Sequence, residues 1–190
     1  MIINSFLSKD ELLALNFKSL GNNVLISRKA SIYNAENIEI GNNVRIDDFC
    51  ILSGAIILHN YIHISAFCGL YAGSAKIEIH NFAGISPNSM LFAESDDFSG
   101  RHMIGPMVPD DYRQIISGKI TLKKYVQIGA GSVILPSTTL YEGSVVGSMS
   151  LVRQSTDPWS IYCGNPLYKL KDREKDLLEL EKNFYTKYEK

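Results

Sequence analysis

The chain has 190 residues, 45% of them hydrophobic, with 19 basic and 20 acidic side chains and a formal net charge of −1 at pH 7. This length and apolar content fit one principal domain with a continuous core and two small terminal appendages. The balanced charge excludes a strongly basic surface for nucleic acid or an anionic membrane, and no apolar run reaches the roughly 18 residues of a membrane span.

The N-terminal segment, residues 1–22, is predicted to hold a short helix. Residues 1–7 lack the basic and apolar regions of a signal peptide, which favours a cytoplasmic location. Ser8 and Glu11 then have the spacing of a capping box, and Leu12 follows them. Because a stacked sheet structure exposes unpaired strand edges at its end, we expect this helix to cover that edge.

From Ile26 onward an aliphatic residue recurs at every sixth position over long stretches. A helix would show spacings of three and four, and a single amphipathic strand would alternate for only about four to eight residues. Four residues after most of these positions comes a small or β-branched residue, such as Cys50, Cys68 and Ser74. Two inward positions per hexad describe short strands joined by corners, so residues 23–156 are predicted to form an all-β, parallel β-helix of hexapeptide repeats. The aliphatic positions are Ile26, Ile32, Ile40, Ile46, Leu52, Leu58, Ile64, Leu70, Ile79, Ile85, Leu91, Leu122, Ile128, Ile134, Leu140, Val146 and Val152.

One long interruption of the repeat is predicted to be a functional loop. Small slips between Ile32 and Ile40, and between Leu70 and Ile79, indicate extra corner residues. The segment of about 94–118 is much longer and too polar for the core, so it is expected to leave the coil and return. Long loops on a rigid scaffold are where function is often placed.

The C-terminal segment, residues 157–190, follows the predicted end of the repeat. It contains a Gly-Asn-Pro sequence at 164–166, and its amphipathic pattern predicts a helix from Asp172 to about Tyr188, packed on the coil or on a neighbouring subunit. The three cysteines have no metal-ligand spacing. Cys50 and Cys68 fall on inward positions and are predicted to be core residues in a reducing compartment.

The hexads, the long loop and the Gly-Asn-Pro segment occur here in the order found in the hexapeptide-repeat acyltransferases. The chain resembles that family over about residues 26–171, most strongly over 126–152, and within it the galactoside, maltose and virginiamycin acetyltransferase group. The resemblance implies a left-handed β-helix, a homotrimer with active sites between subunits, and acetyl-CoA as co-substrate without a metal. It also implies transfer to a sugar or nucleotide-linked amino sugar, of the kind used in O-antigen or other surface-polysaccharide biosynthesis.

The resemblance also implies which residues bind the donor. In the family, backbone groups of the later coils hold the pantetheine arm, and a segment beyond them meets the nucleotide end of coenzyme A. The matching positions are Gly129, Ala130, Gly131, Gly147, Ser148, Met149, Pro166, Lys169 and Lys171.

The family's catalytic histidine is absent, and Asp96 stands in its place. An aspartate titrates near about 3.9 and a histidine near about 6.5, so Asp96 is the weaker base unless its surroundings raise its pKa. Two mechanisms follow. Asp96, alone or with Glu94, takes the acceptor's proton; or His102, further along the same loop, acts as the base.

The acceptor position also departs from the family. Tyr71 replaces an acceptor-binding asparagine and could stack on a sugar or a nucleobase, and Ser95 and Asp97 are further expected acceptor contacts. Carboxylates attract an ammonium group, which favours N-acetylation of an amino sugar while leaving O-acetylation open. An acetyltransferase for an antibiotic or other small molecule, and a non-catalytic β-helix scaffold, are the alternatives. No spacing predicts a metal site, and His59, His63 and His80 are expected on the surface.

Overall fold

Short parallel strands stacked on one another make up most of the structure, a computed structural model that describes residues 5–188. Residues 1–4 of the N-terminal segment, where a signal peptide was considered, and residues 189–190 lie outside the described residues. The helices are α1 (Lys9–Ala14) and α2 (Leu177–Tyr188), with two 3-10 turns at Ala35–Asn37 and Asp110–Tyr112. The strands are β1 (Ser19–Leu20), β2 (Val24–Ile26), β3 (Ser31–Tyr33), β4 (Ile38–Ile40), β5 (Val44–Ile46), β6 (Ile51–Leu58), β7 (Ile62–Ile64), β8 (Gly69–Ile79), β9 (Gly84–Ile85), β10 (Met90–Phe92), β11 (Glu94–Asp96), β12 (Ile115–Ser117), β13 (Ile120–Leu122), β14 (Gln127–Ile128), β15 (Val133–Ile134), β16 (Thr139–Leu140), β17 (Val145–Val146), β18 (Leu151–Val152), β19 (Ser160–Cys163) and β20 (Tyr168–Asp172).

The aliphatic residues of the hexads lie directly above one another in successive coils. Ile46 pairs with Ile26 on one side and with Ile64 on the other, and Leu91 pairs with Leu70. All five side chains are fully buried, and burying each contributes roughly 1.5–3 kcal/mol. The predicted all-β, parallel β-helix is confirmed.

The second inward column holds the small residues, with one exception. Cys50 and Cys68 are buried free thiols, as predicted. The prediction that Ser74 points inward is wrong, because Ser74 is exposed. The extra residues of the register slip form a bulged corner opposite Gly54, and this corner turns Ser74 out of the core.

The N-terminal helix α1 has the predicted cap. The Ser8 side chain accepts a hydrogen bond from the Glu11 backbone, and the Glu11 side chain accepts one from the Ser8 backbone. Leu12 on this helix is buried against the first coils. Glu11 also pairs with Arg28, at 2.5 Å between Nη1 and Oε1, so the helix is joined to the coil that it covers.

The stack extends beyond residue 156, where the hexads end. Strand β19 pairs in parallel with β17, and β20 returns antiparallel to β19. The predicted start of the C-terminal helix at Asp172 is therefore wrong, because Asp172 ends β20 and the helix begins at Leu177. Strand β20 pairs with the last strand edge, which would otherwise be left open.

The C-terminal helix α2 packs on an aromatic column at one corner of the coils. Phe184 meets the rings of Tyr61 and Phe82 edge-on, with centroids 5.3 and 6.0 Å away. Glu181 accepts a hydrogen bond from Lys124 Nζ at 2.8 Å. Neither helix within residues 5–188 is long and apolar enough to cross a membrane.

Candidate active site

The two ends of the long loop pair with each other as a two-stranded antiparallel hairpin. Strand β11 pairs antiparallel with β12, so that Asp96 lies opposite Ile115. The backbone N–H of Gly118 donates to the carbonyl of Ala93 at 2.9 Å and closes the base of the loop. Backbone pairing across the hairpin fixes the positions of the three consecutive residues Ser95, Asp96 and Asp97.

Asp96, at the end of β11, has one free carboxylate oxygen. Oδ2 accepts a hydrogen bond from the backbone N–H of Gly105 at 3.1 Å. Oδ1 is buried and has no hydrogen-bond partner among residues 5–188. A buried polar atom without a partner costs about 1–3 kcal/mol, so this oxygen is placed for a ligand from outside the chain.

Asp97 and His102 form an ion pair within the loop. His102 Nδ1 lies 2.9 Å from Asp97 Oδ2, and Ser99 donates to the same carboxylate from its backbone and its hydroxyl. His102, followed by Ser99, lowers the pKa of Asp97 to about 2. One nitrogen of His102 is therefore engaged in holding the loop.

Glu94, at the start of β11, faces the bulged corner of the coil. Its Oε1 accepts hydrogen bonds from the backbone N–H groups of Ser74 (2.8 Å) and Ala75 (3.1 Å) and from the Ser74 hydroxyl (2.5 Å). Burial raises the pKa of Glu94, but these hydrogen bonds outweigh it and lower the pKa overall. A Cβ on Gly73, whose φ is +56°, would lie 1.8 Å from Glu94 Oε2, so only glycine fits beside this carboxylate.

Tyr71 stacks on Phe92 just below the hairpin. The ring centroids are 5.1 Å apart and the planes are within 6° of parallel. Both residues are half-buried. One face of Tyr71 is therefore used by the protein itself, and its remaining surface borders the base of the loop.

A cleft of about 500 Å³ lies between the hairpin and the coil. Ser95, Asp96 and Asp97 line it from the loop side, and Leu135 and Arg153 line it from the coil side. Three of the predicted site residues are thus brought together. His102 and Glu94 do not line this cleft, although each braces the loop that does.

Arg153 is a site residue that the sequence analysis missed. It lines the cleft beside Asp96 and also a smaller pocket of about 150 Å³ that contains Pro166. A basic residue between the loop and the Gly-Asn-Pro segment suits the phosphate groups of a bound nucleotide. Its position directly after Val152, facing outward at the end of the repeat, was the signal available in the sequence.

The predicted donor-binding glycines and their neighbours form two stacked corners. One runs from Gly129 to Gly131 and the next from Gly147 to Met149, and Met149 donates its backbone N–H to the carbonyl of Ala130 at 2.8 Å. A Cβ on Gly129 would lie 2.5 Å from the backbone nitrogen of Ser148. Close packing of the coils therefore requires glycine at 129, whatever binds outside.

The predicted residues for the nucleotide end lie on the last strand and just before it. Pro166 lines the smaller pocket. Lys169 and Lys171 are exposed on β20, and Lys169 pairs with Asp172 at 2.8 Å. The two lysines and the two corners lie on different parts of the same C-terminal coils.

A parallel β-helix of hexad repeats, with a carboxylate-bearing loop beside stacked small-residue corners, defines a hexapeptide-repeat acyltransferase. The chain belongs to this family and is an acyltransferase. It is 41% identical over 183 residues, 95% of either chain, to dTDP-4-amino-4,6-dideoxy-D-glucose acyltransferase of Escherichia coli. No protein-family model matches the sequence.

Solved structures agree with this assignment. The chain is 49% identical to AntD, an N-acyltransferase from Bacillus cereus solved with dTDP and 3-hydroxybutyryl-CoA, with a TM-score of 0.96 over 99% of this chain and 100% of AntD. A maltose O-acetyltransferase from Clostridium difficile is 20% identical, with a TM-score of 0.54 over 88% of this chain and 75% of that chain, and shares the fold alone.

Proposed function

We propose that the chain transfers a short acyl group from acyl-CoA to the 4-amino group of a dTDP-4-amino-4,6-dideoxy sugar. Near full-length similarity to the Escherichia coli enzyme supports the sugar nucleotide as acceptor. AntD has also been solved with dTDP-4-amino-4,6-dideoxyglucose and coenzyme A, which supports both ligands. The proposal favours N-acylation over O-acetylation, in line with the carboxylates of the loop.

The observation that carries the proposal is the unpartnered Oδ1 of Asp96 at the cleft. A carboxylate oxygen held in this way can accept a hydrogen bond from the acceptor amine and orient its lone pair. Gly105 fixes the other oxygen, so little reorganisation is needed when the amine arrives.

The reaction follows from this arrangement. The sugar enters as an ammonium ion attracted by Asp96 and gives one proton to solvent water to become the amine. The amine nitrogen attacks the thioester carbonyl, a C–N bond forms, and the C–S bond breaks. One further proton leaves the nitrogen, through Asp96, and the departing thiolate takes it up, giving the amide and free coenzyme A. Asp96 is unchanged at the end.

Ser86 is proposed as a second residue at the reaction centre. Among the AntD structures are variants in which an aspartate, or a serine ten positions before it, is replaced. Ser86 and Asp96 are the one serine–aspartate pair in this chain with that spacing. Gln127 Nε2 lies 3.4 Å from Ser86 Oγ and donates to it, so the Ser86 proton is available for the oxyanion of the tetrahedral intermediate.

The remaining predicted site residues receive supporting roles in this proposal. Glu94 and His102 position the loop, Asp97 and Ser95 border the acceptor, and Tyr71 lies beside the sugar or base. The two glycine-rich corners at 129–131 and 147–149 bind the pantetheine arm through backbone groups. Pro166, Lys169 and Lys171, with Arg153, bind the phosphates of coenzyme A.

The assembly is proposed to be a homotrimer. Ile51, Met90, Val133 and Leu151 project outward from one face of the coils and remain half-buried, and closed threefold packing would cover such a face. An enzyme that consumes acyl-CoA and a nucleotide sugar fits a cytoplasmic step of O-antigen or other surface-polysaccharide synthesis. Light scattering should give three times the chain mass of 21.2 kDa.

Release of free coenzyme A, followed with a thiol reagent, tests the function. Acetyl-CoA and 3-hydroxybutyryl-CoA are offered with dTDP-4-amino-4,6-dideoxyglucose, with the matched 4-hydroxyl sugar nucleotide, or with chloramphenicol. We expect turnover with the amino sugar alone. Turnover with the hydroxyl sugar or with chloramphenicol, and none with the amino sugar, would replace the proposed acceptor; acyl-CoA binding without turnover on all three would support a scaffold.

A further inference from the structure

Two histidines and a glutamate converge on the outer surface of the coils. His59 follows strand β6, His80 follows β8, and Glu78 lies on β8 itself. One ligand atom from each of the three lies within 4.8 Å of the others. The proposed acyl transfer uses none of them.

The backbone holds both histidines in place. His59 donates its N–H to the carbonyl of Ile79 at 2.9 Å, and His80 donates its N–H to Leu122 at 2.8 Å. The two rings stack with centroids 4.7 Å apart and planes within 15° of parallel. This separation equals the spacing of neighbouring strands, so the rings are arranged by the stacking of the coils.

The distances between ligand atoms suit a tetrahedral ion. His59 Nε2 lies 3.2 Å from Glu78 Oε1, and His80 Nε2 lies 3.5 Å from the same oxygen. Zinc bonds of about 2.0–2.2 Å to nitrogen and oxygen place neighbouring ligands of a tetrahedron about 3.3–3.6 Å apart. The distance from His80 lies within this range and the distance from His59 is about 0.1 Å shorter than its lower limit.

Nε2 of His80 is buried and has no hydrogen-bond partner among residues 5–188. Burial, with Lys123 and His59 nearby, lowers the pKa of His80. This nitrogen lies near a carboxylate oxygen, Glu78 Oε1, without a hydrogen bond to it.

The second oxygen of Glu78 is engaged by Lys119. Lys119 Nζ lies 2.5 Å from Glu78 Oε2, and this contact lowers the pKa of Glu78 to about 2. Oε1 remains directed at the histidines as a charged ligand. Hydrogen-bonded partners behind a ligating carboxylate commonly orient it toward the metal.

We propose that His59, His80 and Glu78 bind one Zn²⁺ ion through His59 Nε2, His80 Nε2 and Glu78 Oε1, with water in the fourth position. Two imidazoles and one carboxylate form a ligand set that zinc accepts. The ion joins two successive coils just where the long loop returns at Lys119. Spacing along the chain predicted no metal site, and such spacing does not register residues that become neighbours only when the coils stack.

Isothermal titration of the full, chelator-treated chain with ZnCl₂ alone tests the site. We expect one ion per chain, and at least a tenfold loss of affinity in His59→Ala and in His80→Ala. His63→Ala is the matched control, because His63 Nε2 also lies 2.8 Å from a carboxylate, that of Asp47, but His63 belongs to no such three-residue group among residues 5–188. His63→Ala should bind zinc as the wild type does.

Two further measurements make the result independent of folding. Bound Co²⁺ should give the visible absorption of a tetrahedral site in the wild type and in His63→Ala, but not in His80→Gln, whose fold is checked by circular dichroism. Zinc should also raise the melting temperature of the first two proteins only. Absence of stoichiometric binding, or equal loss in His63→Ala and His80→Ala, would overturn the proposal.

Discussion

Asp96 Oδ2 accepts a hydrogen bond from the backbone N–H of Gly105 while Oδ1 of the same carboxylate is left buried without a partner. The residue is thus anchored from one side and open from the other. The anchor is a backbone group of the same loop, so the loop itself fixes the position of the carboxylate.

Asp96→Asn should lower kcat by about 100-fold or more, because general acid–base groups typically contribute about 10²–10⁴-fold. The amide keeps the contact with Gly105 and the shape of the cleft, so binding of acyl-CoA should change little. Binding of the amino sugar should weaken, because the charge that attracts its ammonium group is lost. Steady-state kinetics with separate calorimetry of each ligand checks this. Asp111→Asn, on an exposed part of the same loop, is the control, and wild-type kcat in Asp96→Asn would remove Asp96 from the mechanism.

Glu94→Gln should destabilise the attachment of the loop without removing a base. The charged oxygen that gathers three hydrogen bonds from Ser74 and Ala75 becomes a weaker acceptor, at a cost of about 1–3 kcal/mol. Urea unfolding measures the loss. Glu39→Gln, which removes only an exposed pair with Lys18, should cost less than about 1 kcal/mol; a kcat effect with unchanged stability would instead favour Glu94 as part of the base.

The Asp97–His102 pair should make the stability of the folded chain depend on pH below about pH 4. His102, followed by Ser99, lowers the pKa of Asp97 in the folded chain to about 2 from its usual value of 3.8. Its contribution is therefore fully present above about pH 4 and is lost as the pH falls toward 2. The difference in melting temperature between wild type and Asp97→Asn should shrink as the pH falls below about pH 4. A difference that does not change over the acid range would contradict the pairing.

Ser132→Ala should weaken acyl-CoA binding, because Ser132 supports from inside the coil the corner at 147–149 that is proposed to bind the pantetheine arm. The buried hydroxyl of Ser132 donates to the carbonyl of Gly147 at 3.0 Å and accepts from the backbone N–H of Ser150 at 3.3 Å. Its loss leaves the Ser150 N–H without this acceptor, at about 1–3 kcal/mol, while the Gly147 carbonyl keeps the Ser150 hydroxyl at 2.7 Å. We expect a raised KM for acyl-CoA with little change in kcat. Ser19→Ala, at an exposed strand position, is the control; an unchanged KM would separate the corner from donor binding.

The core was predictable from the sequence because the six-residue period directly identifies the side chains that point inward. Ile26, Ile46 and Ile64 follow one another in the sequence pattern and pair in the structure. The prediction that Ser74 points inward was wrong because extra residues at this corner break the six-residue period. The period alone does not show which residues of such a corner face the core. The predicted start of the C-terminal helix at Asp172 was wrong because residues 168–172 pair with β19 as strand β20, and this pairing outweighs the amphipathic pattern.

The site was predictable only in part. Asp96 was found because it stands where the family has its base, whereas its partner at Gly105 is a backbone group and leaves no trace in the sequence. Arg153 lies far along the chain from the loop, and the cleft that both line exists only after the coils stack. The meeting of His59 with His80 likewise depends on strand pairing across coils of unequal length.

The loop that bears Asp96 leaves and rejoins the coils through adjacent backbone positions, where the N–H of Gly118 meets the carbonyl of Ala93 at 2.9 Å. The coil on either side pairs as though the insertion were absent, since Leu122 lies beside Ile79 in the ordinary register. The segment from Glu94 to Ser117 is therefore a cassette, an insertion that can be replaced by another sequence without changing the pairing of the coils. Related chains could acquire new acceptors by replacing that cassette, with the rest of the coil and its donor surface left intact.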